Sequence, residues 1–110
     1  MLDGFKRIFG LGGSMLPDEL LLEKNKIIVD VRSQSEFNAG HIKGSINIPV
    51  GAIEHNIGKL KGKSPIILCC ASGARSGMAT SILKGKGFKE VYNAGGWAGL
   101  NEQLQSLKEK

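Results

Sequence analysis

The order of elements along the chain predicts an α/β three-layer domain with a central, mainly parallel sheet flanked by helices. Three observations carry that expectation. Apolar runs rich in β-branched residues, Lys26-Ile27-Ile28-Val29-Asp30-Val31 and Ile66-Ile67-Leu68, alternate with stretches of helical spacing. The runs are nearly continuous, the pattern of strands covered on both faces. The loops after strands, at Asp30-Val31-Arg32, at Cys70 and at Gly95-Gly96-Trp97, then gather at one sheet edge, where such folds collect functional groups. A single shallow crevice with Cys70 near its centre follows.

Each element has a local reason. Residues 1–14 read as an appendage, either a short helix with Leu2, Phe5, Ile8 and Phe9 on one face or a frayed terminus ended by Gly10 to Gly13. The domain proper is set at 15–110. Pro17 begins a helix with Asp18 and Glu19 in its first turn, where negative charge suits the dipole, and Leu20 to Leu22 make it apolar. Lys26 to Val31 is a strand. Ser33-Gln34-Ser35-Glu36 is a capping-box pattern that starts a helix at Gln34, with Phe37 as its core contact. Gly40 to Ile42 turns, and Ser45 to Ile48 is a short strand ended by Pro49. Gly51 to Gly58 is a short helix or turn, and Lys59 to Ser64 a basic connection. The strand at Ile66 is followed by a loop and a helix to about Lys84, which Gly85-Lys86-Gly87 ends with a left-handed cap. Phe88 to Tyr92 reads as the last strand and Asn93 to Gly96 as a loop. Trp97 starts a final helix with Leu100, Leu104 and Leu107 as its stripe.

A chain of 110 residues suits one domain. The formal net charge is +5, but the lysines are scattered and aromatics are few. That argues against nucleic acid and for a mild preference for anionic substrates. No run reaches membrane-spanning length, and Gly10, Gly12 and Gly13 interrupt the one stretch resembling a signal peptide. The two cysteines are adjacent, so they fall on opposite faces of a strand and do not pair with each other. A cytoplasmic, reducing setting is expected.

The chemistry concentrates between Ile66 and Leu83. A strand ends in Cys69-Cys70, and Ala71-Ser72-Gly73-Ala74 is a loop of small residues. Arg75 and Ser76 follow, where a helix starts. Unshielded backbone amides, the positive end of a helix dipole and a guanidinium together make an anion pocket. The same field favours thiolate over thiol, and the thiolate is the nucleophile.

The pieces Ile28-Val29-Asp30-Val31-Arg32, Glu36-Phe37, Gly40-His41-Ile42, Gly44 to Pro49, Cys70 to Ser76 and Gly95-Gly96-Trp97 occur in the order found in one family. Over nearly everything from Leu16 to Leu107 the chain resembles the rhodanese family of single-domain sulfurtransferases. The resemblance implies a rhodanese-type domain in which Cys70 takes the outer sulfur of thiosulfate or another small anionic sulfane donor. Cys70 then carries it as a persulfide to cyanide, a thiol or a protein thiol acceptor. It implies that Ala71, Ser72, Gly73, Ala74 and Arg75 cradle the donor, with no cofactor or metal. Asp30 either orients the active loop or caps a turn. Arg32 and Glu36, four apart, resemble the family's internal ion pair.

Two other readings stand beside this one. Counted from Cys69, Arg75 lies at the longer spacing of cysteine-dependent phosphatases and arsenate reductases, although Leu68 stands where those motifs carry histidine. Cys69 otherwise reads as core. The chain could instead serve as a sulfur-carrier module docked to one partner. His41 sits in a turn with no second ligand nearby, His55 reads as surface, and Trp97 as a helix-start anchor under the crevice.

Overall fold

The two continuous apolar runs become the two central strands. The structure, a computed structural model, describes Ser14 and residues 16–109. Strands β1 (Ile27–Asp30), β2 (Ile46–Asn47), β3 (Ile66–Cys70) and β4 (Val91–Gly96) form a sheet of order β2-β1-β3-β4. All of its pairings are parallel. Helices α1 (Asp18–Leu21), α2 (Gln34–Ala39), α3 (Ala74–Gly85) and α4 (Trp97–Lys108), with a 3-10 helix at Val50–Lys59, connect and cover it.

The strand period of two sorts the core into two layers. On one face Val29, Leu68 and Cys70 pack with Ile53 of the 3-10 helix and Ala79 and Leu83 of α3. On the other, Ile28, Ile67, Cys69 and Ala94 pack with Leu21 of α1 and Leu100 of α4. Helices therefore cover both faces, as the continuous apolar runs require. No helix among the described residues is long and apolar enough to cross a membrane.

Several local expectations hold and several need correction. The Ser33 hydroxyl accepts the Glu36 N–H while Glu36 accepts the Ser33 N–H, so the capping box forms and α2 starts at Gln34. Pro17 is the residue before α1 rather than its first turn, with an extended ψ of 148°. Phe37 is only half-buried and stacks on His41, with ring centroids 3.7 Å apart. Its helix is too peripheral to supply a core contact. The last strand starts at Val91 and runs through the predicted loop to Gly96. Phe88 cannot begin it, because its N–H caps the carbonyl of Leu83 at 3.1 Å while Gly87, at φ +98°, donates to Lys84. This is a Schellman ending, with Phe88 bound to the helix it follows.

Of the predicted appendage, 1–14, all but Ser14 lies outside the described residues. Ser14 is buried, and both its N–H and its hydroxyl donate to Oε1 of Gln103 in α4. Gln103 returns a bond to the Leu16 carbonyl at 2.9 Å. The leucine stripe of α4 gave no hint of this buried amide.

Candidate functional site

Cys70 is the last residue of β3, where the chain leaves the sheet for α3. Its side chain sits at the floor of the loop and is 1% exposed. Gly73 adopts φ +106°, a left-handed conformation that turns its N–H back to the Cys70 Sγ at 2.9 Å. The Ser76 hydroxyl, in the first turn of α3, stands 3.3 Å from the same sulfur. Burial pushes the Cys70 thiol up, but the Ser76 hydroxyl and the amides of Ser76, Gly73 and Ser72 outweigh it. The net effect holds the thiol below its ordinary value. The helix start adds its dipole to that field.

Cys69, one residue earlier, points into the opposite core and is 0% exposed. Burial, with Asp30 nearby, pushes its thiol up to about 12. The two cysteines differ by one position in sequence and face opposite layers of the core.

Around the loop, Ala71, Ser72 and Ala74 are exposed and small, leaving the backbone of the cradle uncovered. The loop presses on the end of β4. A Cβ on Gly96 would lie 2.9 Å from the Ala71 carbonyl oxygen, and one on Gly73 3.3 Å from the Gly95 Cα. Glycine at these positions permits a close backbone approach. The strand pairing carries an irregularity at the same place, between Leu68 and Cys69.

Arg75 does not stand free beside the sulfur. Its guanidinium grips Glu36 of α2 through two bonds, Nη1 to Oε1 at 2.7 Å and Nη2 to Oε2 at 3.1 Å. This overturns the expected Arg32–Glu36 pair. Arg32 precedes the capping residue Ser33, so it lies outside the helix on which a spacing of four would bring side chains together. Arg32 instead folds back on Asp30, with Nε at 2.9 and 3.0 Å from the two carboxylate oxygens and Nη2 at 2.6 Å from Oδ2. It also donates to the Gly40 carbonyl at 2.7 Å and lies 4.7 Å over the Trp97 ring. Asp30 accepts the Arg32 N–H at 3.0 Å, which is the turn-capping role. Its carboxylate goes to Arg32 and not to the Cys70 loop. The buried pair thus ties the end of β1 to the end of α2 and the start of α4.

Asn93 and Ser76 are the contributors to this site that sequence reasoning passed over. In the sequence Ser76 stands only as a motif residue, and Asn93 falls in a predicted loop. His41 Nδ1 lies 2.7 Å from the Phe37 carbonyl, a structural contact.

Two adjoining hollows lie at the opposite end of the sheet, at the start of β1. One, of about 390 Å³, is lined by Lys26, Lys43 and Lys63 among others, and the second by Lys26, Lys43 and Lys108 among others. Part of the positive charge therefore sits far along β1 from the Cys70 end.

Glu36 gives a pH signature for the loop's outer wall. Arg75 first, then Ser33, holds its carboxyl from the ordinary 4.5 down to about 2. In that window the unfolded chain binds the proton more tightly, so stability rises with pH. The contribution is fully present above about 4.5 and is lost as pH falls through about 2. Glu36→Gln should therefore be less stable than wild type at neutral pH, with the two thermal-melt curves converging below about pH 2. Curves that stay parallel down to that pH would count against the pairing.

Comparison with known proteins agrees with this geometry. The family model described as "Rhodanese-like domain" matches residues 17–103. Thiosulfate sulfurtransferase GlpE of Pseudoalteromonas translucida is 36% identical over 78 residues, covering 71% of this chain and 74% of that protein. Putative sulfur carrier protein YrkF of Bacillus subtilis is 41% identical over 66 residues, covering 60% of this chain and 36% of that one. The crystal structure of a rhodanese-like domain protein from Staphylococcus aureus superposes with a TM-score of 0.66 at 30% identity, covering 76% of this chain and 81% of that one. The chain spans 60%, 36% and 31% of the length of three matched proteins, YqhL and YrkF of B. subtilis and a tRNA uridine(34) hydroxylase of Pelagibacter ubique.

Proposed function

We propose, from the premise that the chain belongs to the rhodanese-like domain family, that it moves sulfane sulfur from thiosulfate or a similar small anion through a persulfide on Cys70. The observation that carries this reading is the Cys70 sulfur receiving the Gly73 amide at 2.9 Å and the Ser76 hydroxyl at 3.3 Å. Neutral donors hold this thiol below its ordinary value, which favours the thiolate, and none of them is an acid that would quench a persulfide.

The chemistry balances in two half-reactions. The Cys70 thiolate attacks the outer sulfur of thiosulfate. The sulfur–sulfur bond of the donor breaks, and sulfite leaves with the electron pair. The persulfide anion that remains stays beside the Gly73 amide, which reaches Sγ at 2.9 Å. Cyanide or a thiolate then attacks the terminal sulfur, and Cys70 leaves as thiolate. Ala71, Ser72, Gly73, Ala74 and Arg75 surround the donor, and Arg75 meets it as a member of a pair with Glu36. The reading requires no cofactor or metal and a cytoplasmic setting.

A sulfur-carrier role, in which the acceptor is a protein thiol, uses the same persulfide and differs only in the second half-reaction. Similarity to a putative sulfur carrier supports keeping it beside the first. The phosphatase reading needs a nucleophilic Cys69, and a thiol buried in the opposite core at about 12 speaks against that.

Incubation with thiosulfate should raise the intact mass by one sulfur, and cyanide should remove it. Absence of that adduct on wild-type protein at neutral pH would reject the mechanism. Turnover with cyanide, compared with transfer to a protein thiol, separates the free-standing enzyme from the carrier.

A further inference from the structure

The side chain with the most complete set of bonds around the Cys70 loop belongs to a strand and carries no charge. Asn93 of β4 accepts the Ser76 hydroxyl at 2.6 Å and the Gly95 N–H at 2.9 Å on Oδ1. Its Nδ2 donates to the Gly73 carbonyl at 3.1 Å. Only an oxygen can accept from the Gly95 amide and only an NH₂ can donate to a carbonyl, so these partners fix the amide in one orientation. The place is built to hold it. Gly77 faces Asn93 without a side chain, and a Cβ there would lie 3.2 Å from Nδ2.

We propose that Asn93 is a positioning residue for Cys70, holding the Ser76 hydroxyl at the sulfur and pinning Gly73 so that its N–H points there. The Gly73 N–H and the Ser76 hydroxyl, 2.9 and 3.3 Å from Sγ, belong to residues that Asn93 also bonds, Gly73 at its carbonyl and Ser76 at the hydroxyl itself. The Ser76 hydroxyl has one hydrogen and two acceptors, Sγ and Oδ1. The hydrogen is shared between them, directed at Oδ1 in the neutral thiol and toward Sγ as charge gathers there, so Asn93 sets the Ser76 oxygen beside the sulfur before the thiolate forms. The Gly73 carbonyl, bonded to Nδ2, fixes the peptide plane that follows a residue at φ +106° and so limits the rotation by which Gly73 could turn its N–H from the sulfur. The charged groups facing the sulfur are Arg75 on α3 and, through it, Glu36 of α2, and Cys69 is the adjacent thiol. From β4 the sulfur's surroundings receive a neutral amide.

This inference rests on Cys70 as the nucleophile, but its test needs no sulfur transfer. The readout is the pH dependence of Cys70 alkylation by iodoacetamide, located by peptide mass. Asn93→Asp keeps the shape, replaces the donor to Gly73 with an acceptor, and sets a negative charge behind Ser76. The alkylation midpoint should rise by about one unit, which is about tenfold slower alkylation below the midpoint. Gly77→Ala, a favourable exchange for helix stability, should push the amide aside and raise the midpoint in the same direction. A residue that served stability alone would move the melting temperature and leave the midpoint where it was. An unchanged midpoint in Asn93→Asp overturns the proposal. If that variant does not fold, an unchanged midpoint in Gly77→Ala does so. Wild-type protein that alkylates at low pH yet gains no sulfur from thiosulfate removes the proposed function and leaves Asn93 in its role.

Discussion

Cys70→Ser is expected to lower sulfur transfer from thiosulfate by at least about 10³-fold, whereas Cys69→Ala leaves it near wild type. A serine hydroxyl ionises far above any thiol, so the amides around position 70 have no anion to hold at neutral pH and no sulfur to accept the donor's. Cys69 offers the opposite case. At about 12, only about one part in 10⁵ of it is thiolate at pH 7, and its face of β3 belongs to the core that α1 and α4 cover. Its removal costs packing, on the order of 1 kcal/mol for a small buried side chain, and no chemistry. Rates with thiosulfate and cyanide, read beside thermal melts, separate the two. The same pair of variants tests the phosphatase reading. Hydrolysis of an aryl phosphate lost in Cys69→Ala but kept in Cys70→Ser would transfer the nucleophile to Cys69.

The centre of this site was legible in the sequence because it is local. Cys70, the small loop and the helix start are contiguous, and the strand period alone put Cys69 and Cys70 on opposite faces. The capping box at Ser33 was legible for the same reason. The rim was not, because its partners are distant in sequence. Arg75 meets Glu36 across 39 positions, and Asn93 meets Gly73 across 20. No local pattern chooses Arg75 over Arg32 as the partner of Glu36. The Asn93-Ala94-Gly95-Gly96 stretch misled for a physical reason. Two glycines after an asparagine carry the chemistry of a turn, but here they let a strand pass close to the Cys70 loop, with 2.9 Å left for a side chain at Gly96. Glycine reports close approach as readily as it reports a turn.

The largest expected effect on stability lies away from the sulfur, at Asp30 and Arg32. Their side chains are 1% and 6% exposed, and they pair at 2.6 Å. Asp30→Ala leaves a buried guanidinium with the Gly40 carbonyl and the Trp97 face as its partners. Loss of one member of a buried pair costs about 3–5 kcal/mol. For a domain of this size that lowers the melting temperature by roughly 12–40 °C. Arg32→Met leaves the carboxylate stranded instead and should cost a similar amount. The double variant removes both charges together, so its loss should fall well short of the sum of the two single losses. Denaturant melts of all four proteins give the coupling directly. Additivity within about 0.5 kcal/mol would mean that the pair is not coupled, and that what holds the end of β1 to Gly40 and Trp97 is the packing of the arginine stem. Because the pair ends β1 beside the sheet edge that carries Cys70, its loss should also blunt the alkylation midpoint of Cys70 in whatever fraction remains folded. A midpoint unmoved in the folded fraction would show that the Cys70 loop does not depend on this pair.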